Sequence, residues 1–216
     1  MTAQQTSLFG DMADPEPEVL IREDGDVRLY RNWWTPEETR RLFDQLRTEL
    51  AWQQTHIQMH GKRIPVPRLD VWYGDPGHPY RYSGVRFDPE PWTPTLEAIK
   101  SELERRQGLT FNSVLANLYR TGQDSVAWHA DDEPELGRNP VIASLSLGSE
   151  RRFALRHKTR KDLAPVRLDL PSGSLLVMAG TTQHFWQHQL AKTARAVGPR
   201  INLTFRTVFG AGDGGL

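Results

Sequence analysis

Leu42, Leu46 and Leu50 recur every four residues, a spacing that lines one face of an α-helix. The segment before them, Thr35-Pro36-Glu37-Glu38, supplies a capping threonine, a proline at the first helical position and a glutamate three residues after the cap. A second helix is predicted from about Thr95 to Arg106, with Leu96, Ile99 and Leu103 inward and Gly108 as its stop. Upstream of both, Val27 to Tyr30 alternates like a short strand. From Phe111 onward the period shortens, and 111–119, 140–147, 151–157, 165–170, 173–179, 183–188 and 200–208 read as strands separated by turn residues. Short, numerous strands after two helices predict an α+β fold with an antiparallel sandwich or jelly roll. Residues 1 to about 18 are polar, acidic and proline-containing, which predicts a disordered tail ahead of one domain over 19–216.

Composition narrows the chemistry. The 216 residues hold 27 Lys and Arg against 27 Asp and Glu, and no cysteine. Disulfides, thiolate metal sites and cysteine nucleophiles are excluded, so any metal must be held by histidine and carboxylate. A formal net charge of zero argues against a globally basic nucleic-acid binder but allows a local basic face. No apolar run approaches the roughly 20 residues that span a bilayer. The first residues lack the basic and apolar regions of a signal peptide, so a cytoplasmic protein is expected, and it is expected to be a monomer.

Seven histidines are present, and His129-Ala130-Asp131 stands out among them. In extended chain, residues two apart project to the same face, so this imidazole and carboxylate can share a metal. His184 and His188 are candidates for a third ligand, and two histidines with one carboxylate compose the triad of non-haem Fe(II) oxygenases. The segment Arg200-Ile201-Asn202-Leu203-Thr204-Phe205-Arg206 alternates throughout, with Arg, Asn, Thr and Arg on one side. That side is either a solvated strand face or a ladder for carboxylates, which guanidinium groups bind bidentately. Asn117 and Tyr119 can add hydrogen bonds from a neighbouring strand.

His129-x-Asp131, then His188 after Phe185-Trp186-Gln187, then Arg200-x-Asn202-x-Thr204-x-Arg206 together resemble the signature of the AlkB family. The likeness runs from about Val27 to Val208. Val66-Pro67-Arg68, Tyr73-Gly74-Asp75 and Tyr82-Ser83-Gly84 look closest to the branch repairing alkylated double-stranded DNA. The resemblance implies a double-stranded β-helix core, two supporting helices in the N-terminal half, and a nucleotide-recognition lid over about 52–92. It implies Fe(II) on His129, Asp131 and His188. It also implies 2-oxoglutarate on Asn117, Tyr119, Arg200, Asn202, Thr204 and Arg206, with O2 as the oxidant. The reaction implied is oxidation of an N-methyl group of 1-methyladenine or 3-methylcytosine, releasing formaldehyde, succinate and CO2.

A base in duplex must leave the stack to be reached. The resemblance places Tyr80, Tyr82 and Ser83 at its pocket, where an aromatic face attracts a cationic lesion. Asp132 and Glu133 would accept from an exocyclic amine. Met59, His60 and Gly61 align with a finger inserted beside the flipped base, and His60 stands where a larger aromatic is found in the vertebrate duplex enzyme. Arg151, Arg152, Arg156, His157, Lys158, Arg160 and Lys161 read as a basic loop, of which Arg156, Lys158, Arg160 and Lys161 would contact phosphates. In the tail, Gln5, Leu8 and Phe9 resemble the peptide by which bacterial repair proteins bind the replication sliding clamp, which would make the protein nucleoid-associated in a bacterium. The alternatives are an RNA or single-strand demethylase of the same chemistry, and a nucleic-acid-binding module without catalysis.

Overall fold

The helix signals are realised as written in the sequence. The computed structural model describes residues 15–59, 61–82 and 85–209. Strands β1 (Glu18–Ile21) and β2 (Asp26–Tyr30) precede α1 (Pro36–Glu49). The Thr35 hydroxyl accepts from the Glu38 backbone N–H at 3.2 Å, and the Glu38 carboxylate accepts from the Thr35 N–H at 2.9 Å. This reciprocal box satisfies two orphan donors of the first turn. Then come β3 (His56–Met59), β4 (Lys62–Pro65), β5 (Leu69–Gly74), β6 (Tyr80–Tyr82) and β7 (Val85–Phe87), ahead of α2 (Pro94–Gln107). Thr93 caps α2 through the Leu96 N–H, and Gly108, at φ 64°, ends it.

The remainder is mainly strand: β8 (Ser113–Tyr119), β9 (Val126–His129), β10 (Ile142–Gly148), β11 (Arg151–His157), β12 (Val166–Leu170) and β13 (Ser174–Ala179). A single helical turn, α3 (Thr182–Phe185), leads into β14 (Trp186–Leu190), and β15 (Arg200–Arg206) follows. A seven-stranded antiparallel sheet runs β1-β2-β13-β10-β15-β8-β5, and a four-stranded one runs β12-β11-β14-β9. The hairpins β3–β4 and β6–β7 stand apart from both.

Alternation along the strands divides the apolar side chains into two cores. Ala143, Leu145 and Leu147 of β10 join Ile201, Leu203 and Phe205 of β15 on the face covered by α1 and α2. The opposite face of the large sheet packs on the small one, through Leu29, Ile142, Leu176 and Met178 against Phe153, Leu155, Trp186 and Leu190. The chain is therefore α+β with a β-sheet core and two early helices.

The strand expected at 27–30 is β2, and two expectations need correction. Strands β1 and β5 lie outside the expected segments, and with β2 they belong to the large sheet, so not all of its strands follow the helices. Five of the six residues of β5 are buried, which erases the alternation that reveals a half-exposed strand. The segment 183–188 is not one strand, because a helical turn occupies its first half. That turn is anchored by Thr182, whose hydroxyl accepts from the Asp26 N–H at 2.9 Å.

Gly148 lies where α1 crosses the end of β10. Its φ is +86°, and an added Cβ would meet Phe43 Cε2 and the Pro199 carbonyl oxygen, each at 2.6 Å. Gly77 has a similar φ of +84° but nothing within 4 Å. Gly77→Ala should cost about 1–2 kcal/mol from backbone conformation alone. Gly148→Ala should cost at least about 1 kcal/mol more, because a backbone oxygen yields little. Urea unfolding of both variants measures the difference, and equal losses would show that the contact relaxes.

Candidate active site

The β9–β14 pairing sets His129 directly across from His188. The His129 Nδ1 sits 2.8 Å from the Ala127 carbonyl oxygen and donates to it, which leaves Nε2 as the ring nitrogen turned toward Asp131. Asp131, two residues on, is 2% exposed. One carboxylate oxygen is 3.8 Å from His129 Nε2 and the other is 3.9 Å from His188 Nε2. One donor atom from each residue lies within 4.8 Å of the others. Two imidazoles and a carboxylate are the donor set that suits Fe(II) with positions left for substrates.

Electrostatics prepare this set for a cation. Burial alone would raise the Asp131 carboxyl, but the charge and hydrogen bond of Arg206 lead the influences that outweigh it and hold the group below the usual carboxylate range. Arg206 Nη2 donates to Asp131 Oδ1 at 3.0 Å. Burial, helped by His129, pushes His188 down to about 3 against the pull of Asp131, so its imidazole is neutral at physiological pH. The Asp131 N–H donates to Oε1 of Gln183, a fully buried side chain, at 3.0 Å.

The polar side of β15 continues from the triad along the space between the sheets. Arg200 lies opposite Tyr119 and Asn202 opposite Asn117 in β8. On the other flank, β10 supplies Ser144 opposite Thr204 and Ser146 opposite Asn202. Arg200 donates to the Ser146 hydroxyl at 2.8 Å, Asn202 to the Ser144 hydroxyl at 2.9 Å, and Thr204 to Asn202 Oδ1 at 3.1 Å. Every residue of the strand is buried, so the reading of a solvated face does not hold. Arg200 is 2% exposed, yet its Nε and Nη1 have no hydrogen-bond partner among the described residues. Burial, its largest influence, pushes its pKa down to about 10. A buried guanidinium with two idle donors in a cavity is a seat for a carboxylate. That geometry fits 2-oxoglutarate.

One cavity unites His129, Asp131, His188, Asn117, Tyr119, Arg200, Asn202, Thr204 and Arg206. Sequence reasoning missed Arg68, which lines the same cavity and donates to Asn117 Oδ1 at 2.7 Å. Ser144 and Ser146 were detectable as small polar residues alternating with leucines in an expected strand. Gln183 carried no signal. His184 is outside the triad, and its Nε2 faces the Arg138 carbonyl and Asn139.

The remaining candidates are scattered. Asp132 is exposed and receives Lys158 Nζ at 2.9 Å, while Glu133 is half-buried at the start of a 3-10 turn. Met59 and Gly61 belong to the β3–β4 hairpin, in which Met59 pairs with Lys62. The side chains of Met59, Tyr80 and Tyr82, and His60, Ser83, Gln5, Leu8 and Phe9 entirely, lie outside the described residues. The basic run is not one loop. Residues 151–157 form β11, so alternate residues turn inward, and Arg151 and His157 are buried. Arg152 pairs with Asp169 at 2.5 Å, Arg160 with Glu23 and Asp162, and Arg156 lies 4.2 Å over the Trp128 ring. Lys161 is exposed.

Gln183→Leu removes the acceptor that fixes the Asp131 backbone and leaves a buried N–H unpaired. Second-layer partners of this kind typically contribute 10–100-fold in metal affinity, an order-of-magnitude figure of about that size being expected here for Mn(II) measured by calorimetry. Unchanged affinity would remove Gln183 from the site.

Comparison with known proteins agrees with this geometry. The family described as the 2OG-Fe(II) oxygenase superfamily matches residues 26–206. The chain is 40% identical over 214 residues to human alpha-ketoglutarate-dependent dioxygenase alkB homolog 3, covering 90% of this chain and 74% of that protein. It is 38% identical over 197 residues to human DNA oxidative demethylase ALKBH2, covering 87% of this chain and 76% of that one. The solved structure of OsALKBH1 superimposes with a TM-score of 0.58 over 89% of this chain and 100% of that one; at 15% identity it bears on the fold alone. Since the matched span holds every residue of the cavity, the chain belongs to the 2OG-Fe(II) oxygenase superfamily, in its AlkB branch, and is an Fe(II)- and 2-oxoglutarate-dependent dioxygenase.

Proposed function

We propose that this dioxygenase demethylates N-alkylated bases in DNA, with 1-methyladenine and 3-methylcytosine as substrates. The observation that carries the reading is the shared cavity, in which the buried Arg200 donors stand along one polar strand face from the His129–Asp131–His188 triad. The names of the relatives supply the substrate class. In this reading the two sheets are the halves of a double-stranded β-helix within a monomeric 19–216 domain, and about 52–92 forms the recognition lid.

His129, Asp131 and His188 would hold the iron. Bound Fe(II), with 2-oxoglutarate and O2, supplies the oxidising power that hydroxylates the N-methyl carbon; the hydroxymethyl group leaves as formaldehyde, beside succinate and CO2. The protein's own residues set the geometry. Arg200, with Tyr119, seats the distal carboxylate, and Asn117, Asn202, Thr204 and Arg206 complete the polar cradle. Arg206 also keeps Asp131 ionised. Leu115, Val126, Phe153, Met178 and Leu190 line the cavity and limit water around the reacting groups.

Tyr80, Tyr82 and Ser83 would receive the flipped base, with Asp132 and Glu133 as acceptors. Met59, His60 and Gly61 form the finger, and Arg156, Lys158, Arg160 and Lys161 meet phosphates, favouring duplex DNA. A second reading, single-stranded DNA or RNA, is favoured by the ion pairs of Lys158 and Arg160, which reduce their pull on a duplex backbone. The test is incubation of single- and double-stranded oligonucleotides bearing each lesion, followed by mass measurement. Loss of one methylene mass, dependent on 2-oxoglutarate and abolished by His129→Ala, is expected; no such loss on any substrate would overturn the reading. In the tail, Gln5, Leu8 and Phe9 would bind a sliding clamp in a bacterial cytoplasm. Changing Leu8 and Phe9 to Ala should abolish clamp recovery in a pull-down, and equal recovery rejects the motif.

A further inference from the structure

Arg151 opens β11 and is 3% exposed, so its guanidinium is inside the protein. Nη1 donates to the Thr121 carbonyl at 3.1 Å, and Nη2 donates to the Asp124 and Ala191 carbonyls, each at 2.9 Å. These three acceptors are neutral and come from the β8–β9 and β14–β15 connections. The nearby Asp124 carboxylate is already committed to Arg120, which binds both of its oxygens at 2.7 and 2.9 Å. The Asp124 carboxylate, shared with Arg120, offsets the charge of Arg151 only in part.

It also lies beside the Arg200 end of the cavity. The Arg151 Cζ is 6.0 Å and the Arg200 Cζ 5.3 Å from the Tyr119 ring centroid. Arg151 is not among the cavity's lining residues and instead borders a separate surface cleft with Arg152, Lys192 and Arg195. Two buried cations thus share one phenol ring, and neither forms an ion pair with a described carboxylate. Burying two cations so close together is costly, and an anion in the cavity would offset that cost. A tie between two connections needs donors only; a neutral amide would serve. The charge therefore has its use at the cavity.

Resting on the assignment of Arg200 as the carboxylate seat, we propose that Arg151 is a positioning residue for the co-substrate. Through Tyr119 and its own field it reinforces Arg200, so the far end of the cavity selects a dicarboxylate over a monocarboxylate 2-oxo acid. It need not touch the ligand to do so, because Coulomb attraction between buried charges reaches beyond contact distance.

The test uses the full chain loaded with Mn(II), a redox-inert stand-in, and calorimetric titration with 2-oxoglutarate or 2-oxopentanoate, which lacks the distal carboxylate. Arg151→Gln should weaken 2-oxoglutarate by about tenfold, leaving 2-oxopentanoate and Mn(II) affinities unchanged. Arg151→Lys should keep most of the preference, since it retains the charge while losing the forked hydrogen bonds. Equal weakening of both ligands in R151Q, or equal loss of preference in R151K and R151Q, would reduce Arg151 to a loop tie and overturn the inference. A wild-type preference unchanged in R151Q would overturn it too, with the Arg200 seat left standing. Wild-type protein that does not prefer 2-oxoglutarate would overturn the seat, and this inference with it.

Discussion

A polar strand face enclosed between two sheets is the constraint from which the rest follows. In an ordinary antiparallel sandwich the inner faces are apolar and the polar side of each strand meets water. Here β15 turns Ile201, Leu203 and Phe205 toward the helices and sends two arginines, an asparagine and a threonine into the interior. Each buried polar group needs a partner, and the neighbouring strands answer in register with Ser144, Ser146, Asn117 and Tyr119. The helices matter to the site for this reason: they absorb the apolar face of β15 and release the other face for chemistry.

Charge balance along that face has a direction. At one end Arg206 meets Asp131, and the carboxylate is held ionised between two imidazoles, ready for a cation. At the other end Arg200 has idle donors, ready for an anion. The cavity therefore holds a carboxylate, Asp131, beside one arginine of the strand and free donors on the other, so a metal and an anion can be received in the same space.

Much of this was legible in the residues. The capping box at Thr35, the Gly108 stop, the His-x-Asp pair and the alternation of 200–206 are local signals, set by neighbours in the chain. What escaped was set by distant partners. The buried β5 shows no alternation because both of its faces are covered. Arg68 reaches Asn117 across 49 positions, and Gln183 reaches Asp131 across 52. Arg151 reads as a surface cation in a basic run, and only the strand pleat turns it inward beside Tyr119. Local pattern tells which residues share a strand face; it does not tell what covers that face.

His129 stands on β9, and β9 is the outermost strand of the small sheet. Its backbone is paired on one side only, to β14, and even there the register shifts between His188 and Leu190. An edge strand of four residues has little to stop it peeling away. A metal bound by His129 and His188 would cross-link that edge to its neighbour, acting as a rivet as well as a reactive centre. Retaining the ion and keeping the sheet edge closed then become one equilibrium, so the enzyme's hold on its metal is also its hold on its own fold at the mouth of the site.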